Sequence, residues 1–135
     1  MIQFNEIKIQ GDNKNNNHVS FISYNSTGLD TIKTSWIRDL AVLTGATFIS
    51  IQEHFKKSKT VENYFSEQFP NFYSYIKPGF KKEGQTLGRP MAGIAQLSSK
   101  AFYIKKQRIE TKSPRIQIQI LELPDTRLMY INTYL

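Results

Sequence analysis

Residues 18–55, HVSFISYNSTGLDTIKTSWIRDLAVLTGATFISIQEHF, decide how the chain folds. From His18 to Tyr24, Val19, Phe21, Ile22 and Tyr24 form a short β-prone run that ends in the polar, glycine-containing stretch Asn25 to Gly28. Asp30 or Thr31 then offers a helix cap, Ile32, Trp36, Leu40 and Leu43 recur at helical spacing, and Gly45 supplies a left-handed stop. ATFISIQ, Ala46 to Gln52, is β-branched and aromatic and closes on Glu53 and His54. Strand, helix, strand is a βαβ unit, so the two strands are expected to run parallel, with Asn25 and Glu53 at the same edge of one sheet. Alternation groups Val19, Phe21, Ser23 and Asn25 on one side of the first strand, and Thr47, Ile49, Ile51 and Glu53 on one side of the second. Both apolar rows are expected to face one core.

Upstream, residues 1–17 read as a polar, flexible lead-in, because GDNKNNN from Gly11 to Asn17 carries nothing to bury. Downstream, Thr60 begins a second helical pattern with Val61, Tyr64, Phe65 and Phe69 on one face, stopped by Pro70, and Phe72 to Ile76 reads as a strand. Lys77 to Pro90 concentrates glycine, proline and lysine and is expected to be a long exposed loop before the apolar run Met91 to Leu97. Arg115 to Leu123, RIQIQILEL, alternates and is followed by the turn PDTR and the strand LMYINTYL, so the two should pair as a hairpin. No repeat or interdomain linker is visible, and residues 18–135 read as one mixed α/β unit.

The 135 residues suit one domain, and an aromatic content of 13% argues against disorder. No cysteine is present, which excludes disulfides and thiolate zinc sites and fits an intracellular, reducing compartment. No apolar run of about 18 residues or more supports a membrane span. The net charge of +7 favours a polyanionic partner, nucleic acid or an anionic lipid surface. Lys56, Lys57, Lys59, Lys77, Lys81, Lys82, Arg89, Lys100, Lys105, Lys106 and Arg108 fall mainly in expected loops or strand ends, where they serve either as phosphate contacts or as solubilising charge.

Phosphodiester hydrolysis commonly uses a hard divalent cation held by one or two carboxylates, phosphate oxygens and water. Glu53 is the best candidate ligand, since it stands where a buried strand emerges; equally, a carboxylate often simply ends a strand. Asn25 occupies the matching position on the preceding strand, as a phosphate donor or as a turn former. His18 opens a strand beside the polar lead-in and is expected to be exposed.

Four segments in order, SYNSTGL (23–29), SIQEHF (50–55), GRPMAGIAQL (88–97) and the terminal NTYL, resemble the opening motifs of the endonuclease/exonuclease/phosphatase superfamily. Gly-Arg-Pro with Gln-Glu-His makes them most like the endonuclease domains of LINE-type (non-LTR) retrotransposons. The resemblance implies an α+β fold, the N-terminal portion of a four-layer α/β/β/α sandwich with helices outside two face-to-face sheets. It implies that Glu53 ligates Mg²⁺ or Mn²⁺, that Asn25 contacts the phosphate or the attacking water, and that Tyr134 hydrogen-bonds the scissile phosphate. Asn25, Glu53 and Tyr134 are then expected to converge at one rim of a single sheet. Arg89 matches the motif either as a phosphate contact or as a loop anchor. His54 does not match the family's catalytic histidine, which lies near the far end of the domain beside an aspartate.

After NTYL the family continues with Asp-x-Asn, a further Asp and an Asp-His pair, and none of these is in this sequence. The expectation is a truncated domain that cannot activate water alone. Three functions follow: part of a Mg²⁺-dependent, DNA-nicking retrotransposon endonuclease, joined to the rest of its domain and to a reverse transcriptase; a lipid or nucleotide phosphoesterase of the same fold; or a non-catalytic nucleic-acid-binding remnant.

Overall fold

Asp30 starts the first helix by accepting the Lys33 backbone N–H at 2.8 Å, and Gly45 ends it at φ +62°, its N–H turned back to the carbonyls of Ala41 and Val42. The structure is a computed structural model that describes residues 2–9, 17–81, 84, 88 and 90–134; Arg89 and Lys82 lie outside them. In chain order the elements are β1 Ile2–Ile9, β2 Asn17–Asn25, α1 Thr31–Thr44, β3 Phe48–Gln52, α2 Ser58–Gln68, β4 Phe72–Lys77, β5 Ile94–Ser99, β6 Lys105–Ile109, β7 Ile116–Glu122 and β8 Arg127–Thr133. They build a five-stranded mixed sheet of order β1-β2-β3-β5-β4 and a three-stranded antiparallel sheet of order β6-β7-β8. The βαβ reading holds: β2 and β3 are parallel, with Asn25 opposite Gln52. The β7–β8 hairpin also forms, from Ile116 opposite Thr133 to Glu122 opposite Arg127.

The described residues form three layers. Ile22, Tyr24, Ile49, Ile51, Ala95 and Leu97 of the large sheet pack beneath Ile37 and Ala41 of α1 and Val61 and Phe65 of α2. The other face of that sheet packs on the small one through Val19, Phe48, Leu121 and Tyr130. There Phe21 and Phe48 stack at 5.0 Å, and Tyr130 meets both edge-on at 5.2 and 5.3 Å. This is a mixed α+β sandwich.

Several expectations need correction. The lead-in is not wholly unstructured: Ile2–Ile9, half of residues 1–17, pairs antiparallel with β2 as an edge strand. Its side chains Ile2, Phe4 and Ile7 stay exposed, so the ladder rather than burial holds it. The two apolar rows face opposite ways. Phe21 lies beside Phe48 and Ile22 beside Ile49, so the Val19 row joins the layer between sheets while Ile49 and Ile51 face the helices. Alternation fixes parity within a strand, and only the register between strands fixes it across them. In α1 the buried face is Thr34, Ile37 and Ala41, whereas Ile32 and Trp36 are 61% and 58% exposed. Small residues let the helix approach the sheet, and the Thr34 hydroxyl is satisfied by the Tyr64 hydroxyl at 2.6 Å.

The small sheet reverses the usual sense of an alternating strand. Gln117 and Gln119 of β7 point inward, while Ile116, Ile118 and Ile120 share the outer face with Met129 and Ile131 of β8, which are 64% and 50% exposed. Buried amides are tolerable only when bonded, and Gln117 is, together with Asn132 of β8. Asn132 donates to the carbonyls of Ile51 and Ala95 at 3.3 and 3.0 Å and to Gln117 Oε1 at 3.1 Å, while Gln117 donates to the Tyr75 carbonyl at 2.8 Å. The Ser50 and Tyr130 hydroxyls bond to each other, and Gln96 donates to the Tyr130 carbonyl at 3.1 Å.

Candidate active site

The parallel pairing of β2 and β3 brings Asn25 and Glu53 to one rim, since Asn25 is level with Gln52 and Glu53 is the next residue. Tyr134 reaches the same rim from the other sheet. It follows β8 two residues after Asn132, whose Oδ1 accepts from Gln52 Nε2 at 2.7 Å. The three residues therefore lie toward one end of the sandwich on two sheets, and not on a single sheet as the sequence reading had it.

Glu53 leaves the strand in a left-handed conformation, φ +55°, and Phe55 and Ala92 beside it are left-handed as well. For residues with a Cβ this backbone is strained, and strain of this kind gathers at functional sites when neighbouring structure holds it. Here the holding bonds are dense. The Glu53 carbonyl accepts from the Gly28 N–H at 2.7 Å and the Ser26 hydroxyl at 3.0 Å, and the His54 and Phe55 N–H groups donate to the Gly93 and Ala92 carbonyls at 3.1 and 2.9 Å. The Glu53 carboxylate is thus carried on a backbone pinned from both sides, and the residue is half-buried.

Asn25 is exposed and accepts the Thr27 N–H on its Oδ1 at 3.2 Å, which organises the loop after β2 and leaves its amino group to donate. Lys33 donates its ammonium to the carbonyls of Ser26 and Gly28 at 2.8 and 3.1 Å and so ties the same loop to α1. Tyr134 is half-buried; its N–H donates to the Arg115 carbonyl at 3.1 Å, and the Arg115 guanidinium lies 4.8 Å from its ring and 5.7 Å from that of Phe80. The Phe80 segment is joined to the rim in turn, because the Gly79 N–H donates to the Lys56 carbonyl at 2.7 Å. A cavity of about 310 Å³ opens beside the rim, lined by Thr27, Gly28, Asp30, Lys33, His54 and Lys56.

His54 is a framework residue. It is 1% exposed, its Nδ1 accepts the Lys56 N–H at 2.9 Å, and its Nε2 stands 3.0 Å from the Lys77 carbonyl, to which it donates as the neutral tautomer. Burial lowers its pKa to about 4, with the Lys77 carbonyl opposing and the Lys56 charge adding to the shift. Its ring fills the space beside Gly93, where a Cβ would come within 2.3 Å of it. His18 is exposed, as expected, and pairs with Glu6 at 2.5 Å. Among the described residues no group of three or more His, Asp or Glu side chains gathers as a metal cage. The donor set at the rim, one carboxylate and one side-chain amide with open space beside them, fits Mg²⁺ or Mn²⁺ that keeps most of its water, and does not fit zinc.

No family model matches the sequence, and no curated protein matches it significantly. The solved structures do give a match, and it concerns the fold. The chain is similar to the crystal structure of the AP endonuclease LMAP from Leishmania major, with a TM-score of 0.62 and 15% identity. The likeness covers 84% of this chain and 39% of that one. Identity at this level shows the fold, and the chain spans well under half the length of that structure. Among the described residues no helix is long and apolar enough to cross a membrane.

Proposed function

We propose that this chain is part of a metal-dependent phosphodiesterase, a DNA-nicking endonuclease of the LINE retrotransposon type, with Glu53 as metal ligand and Asn25 and Tyr134 as phosphate contacts. The observation that supports it most is that the β2–β3 register and the Gln52–Asn132 bond put the backbone positions of these three toward one end of the sandwich. A bound Mg²⁺ or Mn²⁺ would supply Lewis acidity toward a phosphoryl oxygen and lower the pKa of a bound water. The Glu53 carboxylate would hold it, the Asn25 amino group would donate to a phosphate oxygen, and the Tyr134 hydroxyl would donate to the scissile phosphate.

Among the described residues neither histidine is free to take the proton from water. His54 is locked neutral with both ring nitrogens engaged, and His18 lies near the opposite end of β2 from Asn25, paired with Glu6. Turnover therefore requires residues beyond these, from the rest of the domain. The test is nicking of supercoiled plasmid with Mg²⁺. The chain alone should give none, and a chain extended to the complete domain should nick at a rate that Glu53→Ala lowers by roughly a thousandfold or more. Nicking by the chain alone, or an extended Glu53→Ala variant as fast as its parent, would refute the assignment.

A further inference from the structure

The seam between the two sheets closes differently at its two sides. On the β2–β3 side it is filled by Phe21, Phe48 and Tyr130. On the other side the edge strands β4 and β6 face each other, and their inward positions are Tyr73, Tyr75 and Lys77 on one, Lys106 and Arg108 on the other. Cations and tyrosines stand where a sandwich normally puts aliphatic side chains. Lys106 and Lys100 hold their ammonium groups 4.9 and 5.4 Å from the Tyr73 ring, and the Arg108 guanidinium lies 4.4 Å from Tyr75. Tyr73 remains 49% exposed.

Two further observations mark this seam as unfinished. It holds a cavity of about 100 Å³ lined by Tyr73, Tyr75, Gln96, Lys106 and Arg108 among others. Gln96 is 2% exposed, and its Oε1 has no hydrogen-bond partner, an acceptor left wanting a donor. Arg108 spends one N–H on the Ser74 carbonyl at 3.2 Å and lies close enough to Lys106 to lower its pKa, burial being the larger cause. Two carboxylates lie near the cluster: Glu110 acts on Tyr75 and Lys77, and Glu62 lines a neighbouring hollow together with Tyr73, Lys100 and Arg108.

We infer that the β4–β6 seam is a binding site for single-stranded nucleic acid, in which a base stacks on Tyr73 and Lys100, Lys106 and Arg108 take the flanking phosphates. The exposed ring beside clustered cations is the combination that serves unpaired bases, whose faces a duplex hides. A nucleobase also brings N–H donors of the kind Gln96 Oε1 lacks. The seam lies away from the Glu53 rim: Lys77 is level with Gln52 through Ile94, and Tyr73 sits four residues further back along β4, about 13 Å at strand rise. It is therefore a second surface for the partner of the proposed function, and it rests on that reading only for the choice of nucleic acid among polyanions.

The test is fluorescence anisotropy of a labelled 20-mer oligothymidylate with the whole chain, in EDTA so that no metal at Glu53 takes part. Tyr73→Ala should weaken binding roughly tenfold while Tyr73→Phe keeps it, and the duplex of the same length should be little affected by either. Lys100→Ala with Lys106→Ala should reduce the slope of log affinity against log salt by about 1.4, the release expected for two single-strand phosphate contacts. Parent-like binding by Tyr73→Ala and by the double lysine variant, with both folded by circular dichroism, would overturn the inference. So would stronger binding to phosphatidylserine vesicles than to the oligonucleotide. Metal binding unchanged in Glu53→Ala with the Tyr73 effect intact would remove the rim and leave the seam; metal binding lost in Glu53→Ala with no Tyr73 effect would remove only the seam.

Discussion

Glu53 and His54 leave β3 in opposite senses, one toward the rim and the other into the helix-side packing, where the His54 ring lies edge-on to Phe65 at 5.6 Å. Because burial depresses the His54 pKa to about 4 while an unfolded histidine titrates near 6.5, the unfolded chain binds more protons between these values. The neutral ring's contribution is thus complete above about pH 6.5 and is lost as pH falls toward 4, an effect of up to ~3 kcal/mol. Urea unfolding at pH 7 and pH 4.5 should show this loss in the parent and a smaller one in His54→Asn; equal losses would contradict the assignment. Gly93 is the complementary residue, at φ +87° with the His54 ring where a Cβ would be. Gly93→Ala should cost several kcal/mol, on the order of a severe core clash, and its melting temperature checks this. The sequence gives no sign of the burial of His54, since Phe65, Lys77 and Gly93, its neighbours in space, stand apart from it along the chain.

At the scale of elements, what was legible followed local chemistry and what was missed depended on partners. Asp30, Gly45 and the β-branched run ATFISIQ carry their own signals, and α1 and β3 formed within two residues of where those signals lie. The buried face of α1 was misread because size and spacing favour Ile32 and Trp36, whereas the sheet accepts Thr34, Ile37 and Ala41. Trp36→Ser should therefore change stability by no more than ~0.5 kcal/mol, while Ile37→Ala should cost ~2–4 kcal/mol, both read from urea midpoints. β6, KKQRI, escaped notice for a related reason: its lysines and arginine read as loop, and only pairing with β7 makes it a strand. Gln52 and Asn132, which join the two sheets at the rim, were also missed, although inward parity on an alternating strand was a usable signal for Asn132. Asn132→Leu should destabilise by ~2–4 kcal/mol, because it strands the Gln117 and Gln52 amides in the interior, and should loosen the rim as well. A near-parental urea midpoint would show the network to be dispensable.

For the molecule as a whole, the charge of +7 raised the expectation of a polyanionic partner but not of where it would bind. The fold separates the basic side chains into structural and available ones: Lys33 and Lys77 are consumed by loop carbonyls, while Lys100, Lys106 and Arg108 gather around two tyrosines. The four motif segments gave the layered α+β architecture, and the likeness to the AP endonuclease fold agrees with it. They could not give the origin of Tyr134 on the second sheet, which depends on how the sheets pack. The small sheet's outer face, with Met129 and Ile131 exposed, and the outer edge of β8 are open among the described residues. On the function proposed above, the rim joining β2, β3 and β8 would hold a divalent cation through Glu53. The direct measurement is a Mn²⁺ titration followed by amide line broadening in NMR spectra of the chain and of Glu53→Ala. The account predicts selective broadening at residues 25–28, 53–56 and 133–134, none at 46–48 on the opposite end, and loss of the effect in the variant. Broadening centred elsewhere, or unchanged in Glu53→Ala, would contradict it.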